Sequence, residues 1–300
     1  MLNQRTNQVA RSWIKSGRSF TLMRRVLFEL RLQRALIMFD ESFLIWRLQK
    51  KVGLKIRTHK RILLDLRNAY SDKKCLILGN GPSFEPDDLN YFEDHVKIGF
   101  NNAGLKEFAN QIDIIIIEDP IVAHEMSKSR RLKDFNGLLL VAIHNSHLNF
   151  SRSAVYFKTD FPIDTPLSVK RSFSTDFSKI SFLGGSVSYL GFQLAYYLGV
   201  REVSLIGFDH GYGKAFQLKH GDEYKRIKLD EEDHQLLSEQ YGDSHNPYIQ
   251  TGNPFNVLPL KFLEDSFEVA NEYFLAKGVS IINRSRESSL SVFPRSGFDS

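Results

Sequence analysis

Short apolar runs alternate with amphipathic stretches through residues 71–300. Each of the first four runs ends in small polar residues and is predicted to be a strand: 74–78, 96–100, 113–118 and 137–143. Helical segments are predicted between these strands, near 87–92 and over 121–133. Because strands that alternate with helices form parallel crossovers, the pattern predicts an α/β fold: a Rossmann-like, mostly parallel sheet with helices on both faces.

The alternation resumes after a less regular stretch. The later predicted elements are a weak strand at 154–157, a helix at 187–198, a strand at 202–207, a helix at 260–276 and a strand at 279–283. The run Ile114–Ile117 is unbroken and β-branched, which indicates a central strand buried on both faces. A polar insertion, residues 214–257, follows a strand and is predicted to be a lid over an active site.

The N-terminal part of the chain has a different pattern. Residues 19–52 contain no proline and carry apolar residues at near-helical spacing beside many Arg and Lys, and a second helix is predicted at 59–70. We therefore divide the chain into a basic amphipathic helical extension, residues 1–70, and a Rossmann-like domain, residues 71–300. The 19–52 helix is expected either to lie on an anionic membrane surface or to pack against protein.

Charge is unevenly distributed along the chain. The net charge is +5, but residues 1–70 hold 16 Lys or Arg and 4 Asp or Glu, whereas residues 71–300 hold 24 and 31. The mildly acidic remainder argues against nucleic acid as a partner. The single cysteine excludes an intrachain disulfide framework and suits a reducing compartment. We expect a cytoplasmic protein, peripheral on the inner membrane if the 19–52 helix binds lipid.

Glycine and small polar residues follow the first predicted strand. This loop consists of Gly79, Asn80, Gly81, Pro82 and Ser83. Glycines let a backbone turn sharply and approach a phosphate, and Ser83 is expected to cap the next helix, whose free N–H groups favour an anion. The loop lacks the third glycine of a dinucleotide fingerprint and the lysine of a P-loop. It therefore predicts a nucleotide site of another kind.

Other predicted strands also end in polar side chains, which an open parallel sheet would bring to one edge. Asn101 is expected to contact a base edge or a ribose hydroxyl. Asp119 is expected either to contact a ribose or a sugar or to serve only as a turn residue before Pro120. Gly184, Gly185 and Ser186 precede a helix and form either a second phosphate cradle or a tight turn that needs glycine.

Two histidines are candidate general bases, because a histidine pKa is easily tuned to near neutral. His245 lies in the polar insertion and is the first candidate; His210 follows a strand and is the second. Asp209, which precedes His210, is a further catalytic candidate. Arg284 or Arg286 is expected to balance phosphate or sugar-carboxylate charge. No D-x-D triplet or H-E-x-x-H motif is present, so no metal site is predicted.

Three motifs together resemble a bacterial family of unknown-function domains related to archaeal pterin diphosphokinases and associated with polysaccharide and flagellin glycosylation. They span residues 77–83, 184–199 and 203–210. The same order is similar to that of single-domain bacterial sialyltransferases that use CMP-sialic acid. In those enzymes the matching glycine loop and Asn101 position hold the CMP. Ser244-His245 is the nearest match to their histidine base, although the second histidine of that segment has no counterpart here.

The resemblance implies a glycosyltransferase. It would move a sugar, best matched by an acidic sugar from a CMP donor, onto a surface-glycan or lipid-linked acceptor, with the nucleotide sugar as donor and no required cofactor. Two alternatives stay open: a pterin-type diphosphokinase that uses ATP, and a non-catalytic assembly protein of a polysaccharide system. A homo-oligomer is compatible with all three.

Overall fold

The computed structural model describes residues 58–101, 103, 106–129, 132, 135–150, 153–160, 172–241 and 249–298. The helix predicted over 19–52 and the candidate base His245 lie outside these residues. The membrane contact therefore stays a prediction. The domain boundary at residue 70 also stays a prediction. Among the described residues, no helix is long and apolar enough to cross a membrane.

The described residues form eleven strands and six α-helices. The strands are β1 (Lys74–Leu78), β2 (Val96–Phe100), β3 (Ile114–Ile117), β4 (Leu138–Ala142), β5 (Val155–Phe157), β6 (Thr159–Asp160), β7 (Ser181–Phe182), β8 (Glu202–Ile206), β9 (Lys225–Lys228), β10 (Pro254–Val257) and β11 (Ser280–Asn283). The helices are α1 (His59–Asp65), α2 (Pro120–Lys128), α3 (Val187–Leu198), α4 (Lys214–His220), α5 (Glu231–Tyr241) and α6 (Leu260–Leu275).

Seven strands form one parallel sheet in the order β11-β8-β1-β2-β3-β4-β5. Successive side chains of a strand point to opposite faces, and each face of this sheet has its own core. Cys75 and Ile77 of β1 belong to the core that α3 and α6 cover, whereas Leu76 and Leu78 belong to the core that α2 covers. All four isoleucines of β3 are buried. The predicted Rossmann-like sheet with helices on both faces is confirmed.

Two predicted helices are shorter in the structure. The helix predicted at 59–70 ends at Asp65, because the chain then turns so that Asn68 N–H donates to the Tyr197 carbonyl, 3.0 Å away, at the end of α3. Asn68 has a φ of 55° in this turn. The helix predicted at 121–133 is α2, which ends at Lys128 because Ser129 is extended.

The polar insertion, residues 214–257, has structure of its own. α4 and α5 pack on the antiparallel pair of β9 and β10. Five buried side chains form a separate small core: Phe216, Leu229, Leu237, Ile249 and Val257. The pattern of the sequence did not predict these elements, because the apolar residues that build their core are few and widely spaced.

Candidate functional site

The topology places a switch point between β1 and β8. From β1 the chain runs outward through β2, β3, β4 and β5, and then returns to place β8 on the other side of β1. In open α/β sheets, ligands bind outside the carboxyl ends of the strands at such a point. The two loops that leave these strands are residues 79–83 and 207–213, which we call the switch-point loops.

The glycines of loop 79–83 permit close contact between the two switch-point loops. Gly79 N–H donates to the Ile206 carbonyl at 2.8 Å, and Gly81 N–H donates to the Gly207 carbonyl at 2.9 Å. A Cβ atom would lie 2.1 Å from Gly207 O at position 79 and 2.5 Å at position 81. These glycines were predicted to approach a phosphate, and the structure shows that packing against protein also requires them. Asn80 and Pro82 are exposed.

Ser83 binds an aspartate of the other switch-point loop. Its N–H donates to Asp209 Oδ2 at 2.8 Å, and its hydroxyl donates to Asp209 Oδ1. Burial raises the pKa of Asp209, while the two bonds from Ser83 oppose that shift. Asp209, which the sequence nominated as catalytic, thus holds loop 79–83 in place.

The prediction that Ser83 caps the next helix is wrong. The helical segment predicted at 87–92 is a 3₁₀ helix, Pro86–Phe92, and its N-cap is Glu85, which bonds reciprocally with Asp88. Ser83 lies too early in the chain for that role, and its side chain is occupied by Asp209.

Arg286 fixes the same loop from the end of β11. Its guanidinium donates to the Ser83 carbonyl at 3.1 Å and to both carboxylate oxygens of Asp88, one of them at 2.9 Å. Arg284 is buried, and its Nε donates to Ser204 Oγ at 3.2 Å. The two arginines predicted to balance ligand charge therefore make these bonds within the protein.

His210 lies in the second switch-point loop with a φ of 62°. Its Nε2 is 3.4 Å from Glu264 Oε1 of α6, a charge contact without hydrogen-bond geometry. Burial lowers the pKa of His210, and the negative charges of Glu264 and Asp222 partly oppose that shift. A neutral imidazole beside a carboxylate is the arrangement of a general base.

The segment of Gly184, Gly185 and Ser186 forms the start of α3. Both glycines have positive φ, and Ser186 caps the helix by accepting from Ser188 N–H at 3.3 Å. Because α3 leads to the amino end of β8, its N-terminus lies at the carboxyl edge of the sheet. A Cβ at Gly185 would meet Phe262 of α6. The tight turn is confirmed, and the phosphate cradle stays a prediction.

A buried polar cluster lies at the ends of β2, β3 and β4; we call its four residues, Asn101, Glu118, His144 and Asn145, the strand-end cluster. Asn101 Oδ1 accepts from Glu118 N–H at 3.3 Å. The Glu118 carbonyl accepts from Asn145 Nδ2 at 2.7 Å and lies 2.9 Å from His144 Nε2. Asn101, predicted to contact a ligand, thus contacts the backbone of the neighbouring strand end.

Burial changes the charge of this cluster. It raises the pKa of Glu118 to about 8, with a smaller contribution from the negative charge of Asp119, and it lowers the pKa of His144 to about 4. Both side chains are therefore mostly neutral at pH 7, and the His144 Nε2–H donates to the carbonyl. The sequence placed Glu118, His144 and Asn145 at strand ends, where their polarity was the available signal, but did not nominate them as site residues.

Asp119 has a structural role in the turn that precedes Pro120, which is the alternative to a ligand contact that the sequence offered. It is the N-cap of α2, and its Oδ1 accepts from Ile121 N–H at 2.7 Å and Val122 N–H at 3.0 Å. A contact from Asp119 to a ribose or sugar stays a prediction.

Glu118→Gln is expected to stabilise the fold increasingly as pH rises. Because the folded-state pKa of about 8 exceeds the ordinary value of 4.5, the folded chain keeps a proton that the unfolded chain releases. The wild type therefore loses stability as pH rises through that interval, and the glutamine variant does not. We expect the difference to grow by about 3.5 kcal/mol between pH 5 and pH 8, measured by urea unfolding at pH 5, 6.5 and 8.

The matched control for this prediction is Glu125→Gln, which changes an exposed glutamate of α2 that pairs with Lys128. Its unfolding free energy should differ from that of the wild type by a small amount that does not grow with pH. Equal pH dependence in wild type and Glu118→Gln would contradict the neutral state of Glu118.

Comparison with known proteins gives one family. The model described as 6-hydroxymethylpterin diphosphokinase MptE-like matches residues 55–215, from before α1 to the start of α4. No curated protein and no solved structure matches the chain, and the similarity to sialyltransferases is not supported by these comparisons. Because the family model covers more than half of the sequence, including both switch-point loops and the strand-end cluster, the chain belongs to the 6-hydroxymethylpterin diphosphokinase MptE-like family.

Proposed function

We propose that the chain is a transferase that holds a nucleotide at the switch-point loops and passes its activated group to a hydroxyl of an acceptor. The observation that supports this most directly is the position of loop 79–83. Asp209 and Arg286 fix it at the topological switch point, and its residues Asn80 and Pro82 are exposed there.

The name of the family favours pyrophosphate transfer from ATP to a pterin alcohol. In that reaction the acceptor oxygen attacks the β-phosphorus of ATP, the bond between that phosphorus and the bridging oxygen to the α-phosphorus breaks, and AMP leaves. The hydroxyl proton passes to a base. His210 would be that base among the described residues, with Glu264 stabilising the imidazolium that forms.

Sugar transfer from a CMP donor is the second candidate. It is favoured by the placement of loop 79–83 and Asn101 at one edge of the sheet, since these are the positions that the motif resemblance assigns to the CMP. The acceptor oxygen would attack the anomeric carbon and CMP would leave. The proton would pass to the same base.

Magnesium accompanies ATP in most phosphoryl and pyrophosphoryl transfers. Among the described residues, no three His, Cys, Asp or Glu side chains come together as a metal site. Asp209 and Asp119, two carboxylates at the carboxyl edge, accept hydrogen bonds from Ser83 and from the first turn of α2. They therefore do not form a ready Mg²⁺ site.

Binding of a nucleotide should raise the melting temperature of the protein, because a ligand that binds only the folded state stabilises it by mass action. The panel is CMP, CDP, UDP, GDP, S-adenosylmethionine, and ATP with and without Mg²⁺. We expect a shift of several degrees with CMP or ATP, followed by release of CMP from a CMP-sugar or of AMP from ATP with 6-hydroxymethylpterin. The released product identifies which of the two transfers takes place.

Asp209→Leu should abolish this shift, since it removes both bonds that hold Ser83. The matched control is Glu202→Gln, which changes a carboxylate paired with Lys74 at the opposite edge of the sheet and should keep the shift. Absence of any shift in the wild type would contradict the proposal and favour the non-catalytic assembly protein.

A further inference from the structure

The strand-end cluster contains buried oxygens that the protein does not satisfy. Glu118 Oε1, Asn145 Oδ1 and the adjacent Ser146 Oγ have no hydrogen-bond partner among the described residues. Each such atom costs stability, because water is removed without a replacement bond. Native proteins hold only a few of these atoms, and three adjacent ones at the ligand-binding edge of a parallel sheet indicate a function.

The hydrogen bonds within the cluster determine which of its side-chain atoms remain available to a ligand. Asn145 Nδ2 is held by the Glu118 carbonyl at 2.7 Å, so Oδ1 is left as an acceptor. His144 Nε2 contacts the same carbonyl and is 3.6 Å from Glu118 Oε1. The side chains of Glu118 and His144 are 10% and 9% exposed, so the cluster reaches solvent at its edge.

The neutral state of the cluster restricts its ligand. With Glu118 protonated, the cluster offers a hydroxyl donor beside an amide acceptor, and it carries no net positive charge. A phosphate or carboxylate oxygen could accept from this hydroxyl but could not donate to Asn145 Oδ1. A ring in which an acceptor nitrogen adjoins an amino group would satisfy both groups.

The distance from the switch point also fits such a ring. Loop 79–83 follows β1, and Glu118 follows β3, two strands away in the same sheet. Two strand spacings are about 10 Å. A molecule with phosphates at the switch-point loops would extend its base, or the heterocycle of an acceptor beside it, over β2 and β3.

We propose that the strand-end cluster binds the aminopyrimidine edge of the substrate, with the Glu118 carboxyl donating to a ring nitrogen and Asn145 Oδ1 accepting from the adjacent amino group. This inference rests on the proposed function, which places the phosphates. Cytosine, adenine and pterin share the edge, so the ring belongs either to the nucleotide or to the acceptor.

Paired ligands that differ only at the amino group test the proposal. The pairs are CMP with UMP, AMP with IMP, and 6-hydroxymethylpterin with 6-hydroxymethyllumazine, each titrated by calorimetry against the full chain. We expect the amino member of at least one pair to bind about 10-fold more tightly or better. Glu118→Leu should reduce that preference to within about 2-fold and leave the affinity for pyrophosphate unchanged. The pair that shows the preference identifies the source of the ring.

A second variant serves if Glu118→Leu does not fold. Glu118→Gln keeps a donor and an acceptor, so it should retain the preference at pH 7 and keep it at pH 9, where the wild type loses it as the carboxyl ionises. Asp119 and His144 are the titratable groups that the described residues place against Glu118. Of these, His144 is already neutral throughout the pH range of the test.

The outcomes separate this inference from the proposed function. If no nucleotide or pterin binds the wild type, both fail. If ligands bind but the members of every pair bind equally, or if Glu118→Leu keeps the preference, the inference fails and the proposed function stands. The inference is also overturned if Glu118→Gln loses its preference for the amino ligand at pH 9 to the same extent as the wild type.

Discussion

Gly79→Ala is expected to destabilise the fold by about 3 kcal/mol and to abolish nucleotide binding. The added Cβ would lie 2.1 Å from the Gly207 carbonyl oxygen and 2.6 Å from its carbonyl carbon. Both are backbone atoms of the neighbouring loop, so no side-chain rotation relieves the clash. Urea unfolding measures the first effect, and the melting-temperature shift with CMP or ATP measures the second.

Gly211→Ala is the matched control, because it adds the same methyl group in the second switch-point loop. Among the described residues, the nearest atom to a Cβ there is Gly213 N, at 4.0 Å. This variant should unfold within about 0.5 kcal/mol of the wild type. If Gly79→Ala matched it, close packing of the two loops would not be the reason for glycine at position 79.

His210→Asn is expected to lower kcat by about 10²- to 10⁴-fold, the usual contribution of a general base. Asparagine is chosen because it tolerates positive φ, and His210 has a φ of 62°. Since burial lowers the pKa of His210, the wild-type kcat should fall only as pH drops below about 6.5, and the variant should lack this acidic limb. Steady-state rates between pH 5 and 8 measure both effects.

In the proposed reaction Glu264 would act through His210, as a positioning residue. Its negative charge raises the pKa of His210 against the effect of burial. Glu264→Gln should therefore move the acidic limb to lower pH and reduce kcat more than it changes KM. The matched control for His210→Asn is His95→Asn, which makes the same substitution at the amino end of β2. It should leave the pH profile of kcat unchanged. A full wild-type rate in His210→Asn would assign the base elsewhere, with His245 the remaining candidate.

Local sequence patterns predicted the sheet because its strands are signalled by neighbouring residues. The isoleucines of β3 and the run at 74–78 are apolar on both faces, and each is followed by a turn-forming residue. Helix ends were less predictable. α1 stops where Asn68 turns to bond the end of α3, a contact that no local pattern encodes.

The site could be located from the sequence more readily than its contacts could be assigned. Polar residues after strands mark the carboxyl edge, and this brought Asn101 and Asp209 into consideration. Their actual partners, Glu118 N–H and Ser83, are fixed only when strands distant in sequence become neighbours. Glu118 was placed at a strand end by the sequence but was not nominated as a site residue, since its burial depends on the packing of β2, β3 and β4 around it.

The anchors of loop 79–83 have a consequence for biosynthesis. Asp209 lies 126 positions after Ser83, and Arg286 lies 203 positions after it. A nascent chain leaves the ribosome from its N-terminus, so β1 to β5 emerge while the neighbour of β1 at the switch point has yet to be made. Strands β1 to β5 can collapse around one another, but loop 79–83 acquires its shape only after Arg286 has been made. If this loop holds the nucleotide, as we propose, the order of the strands keeps shorter nascent chains from binding it.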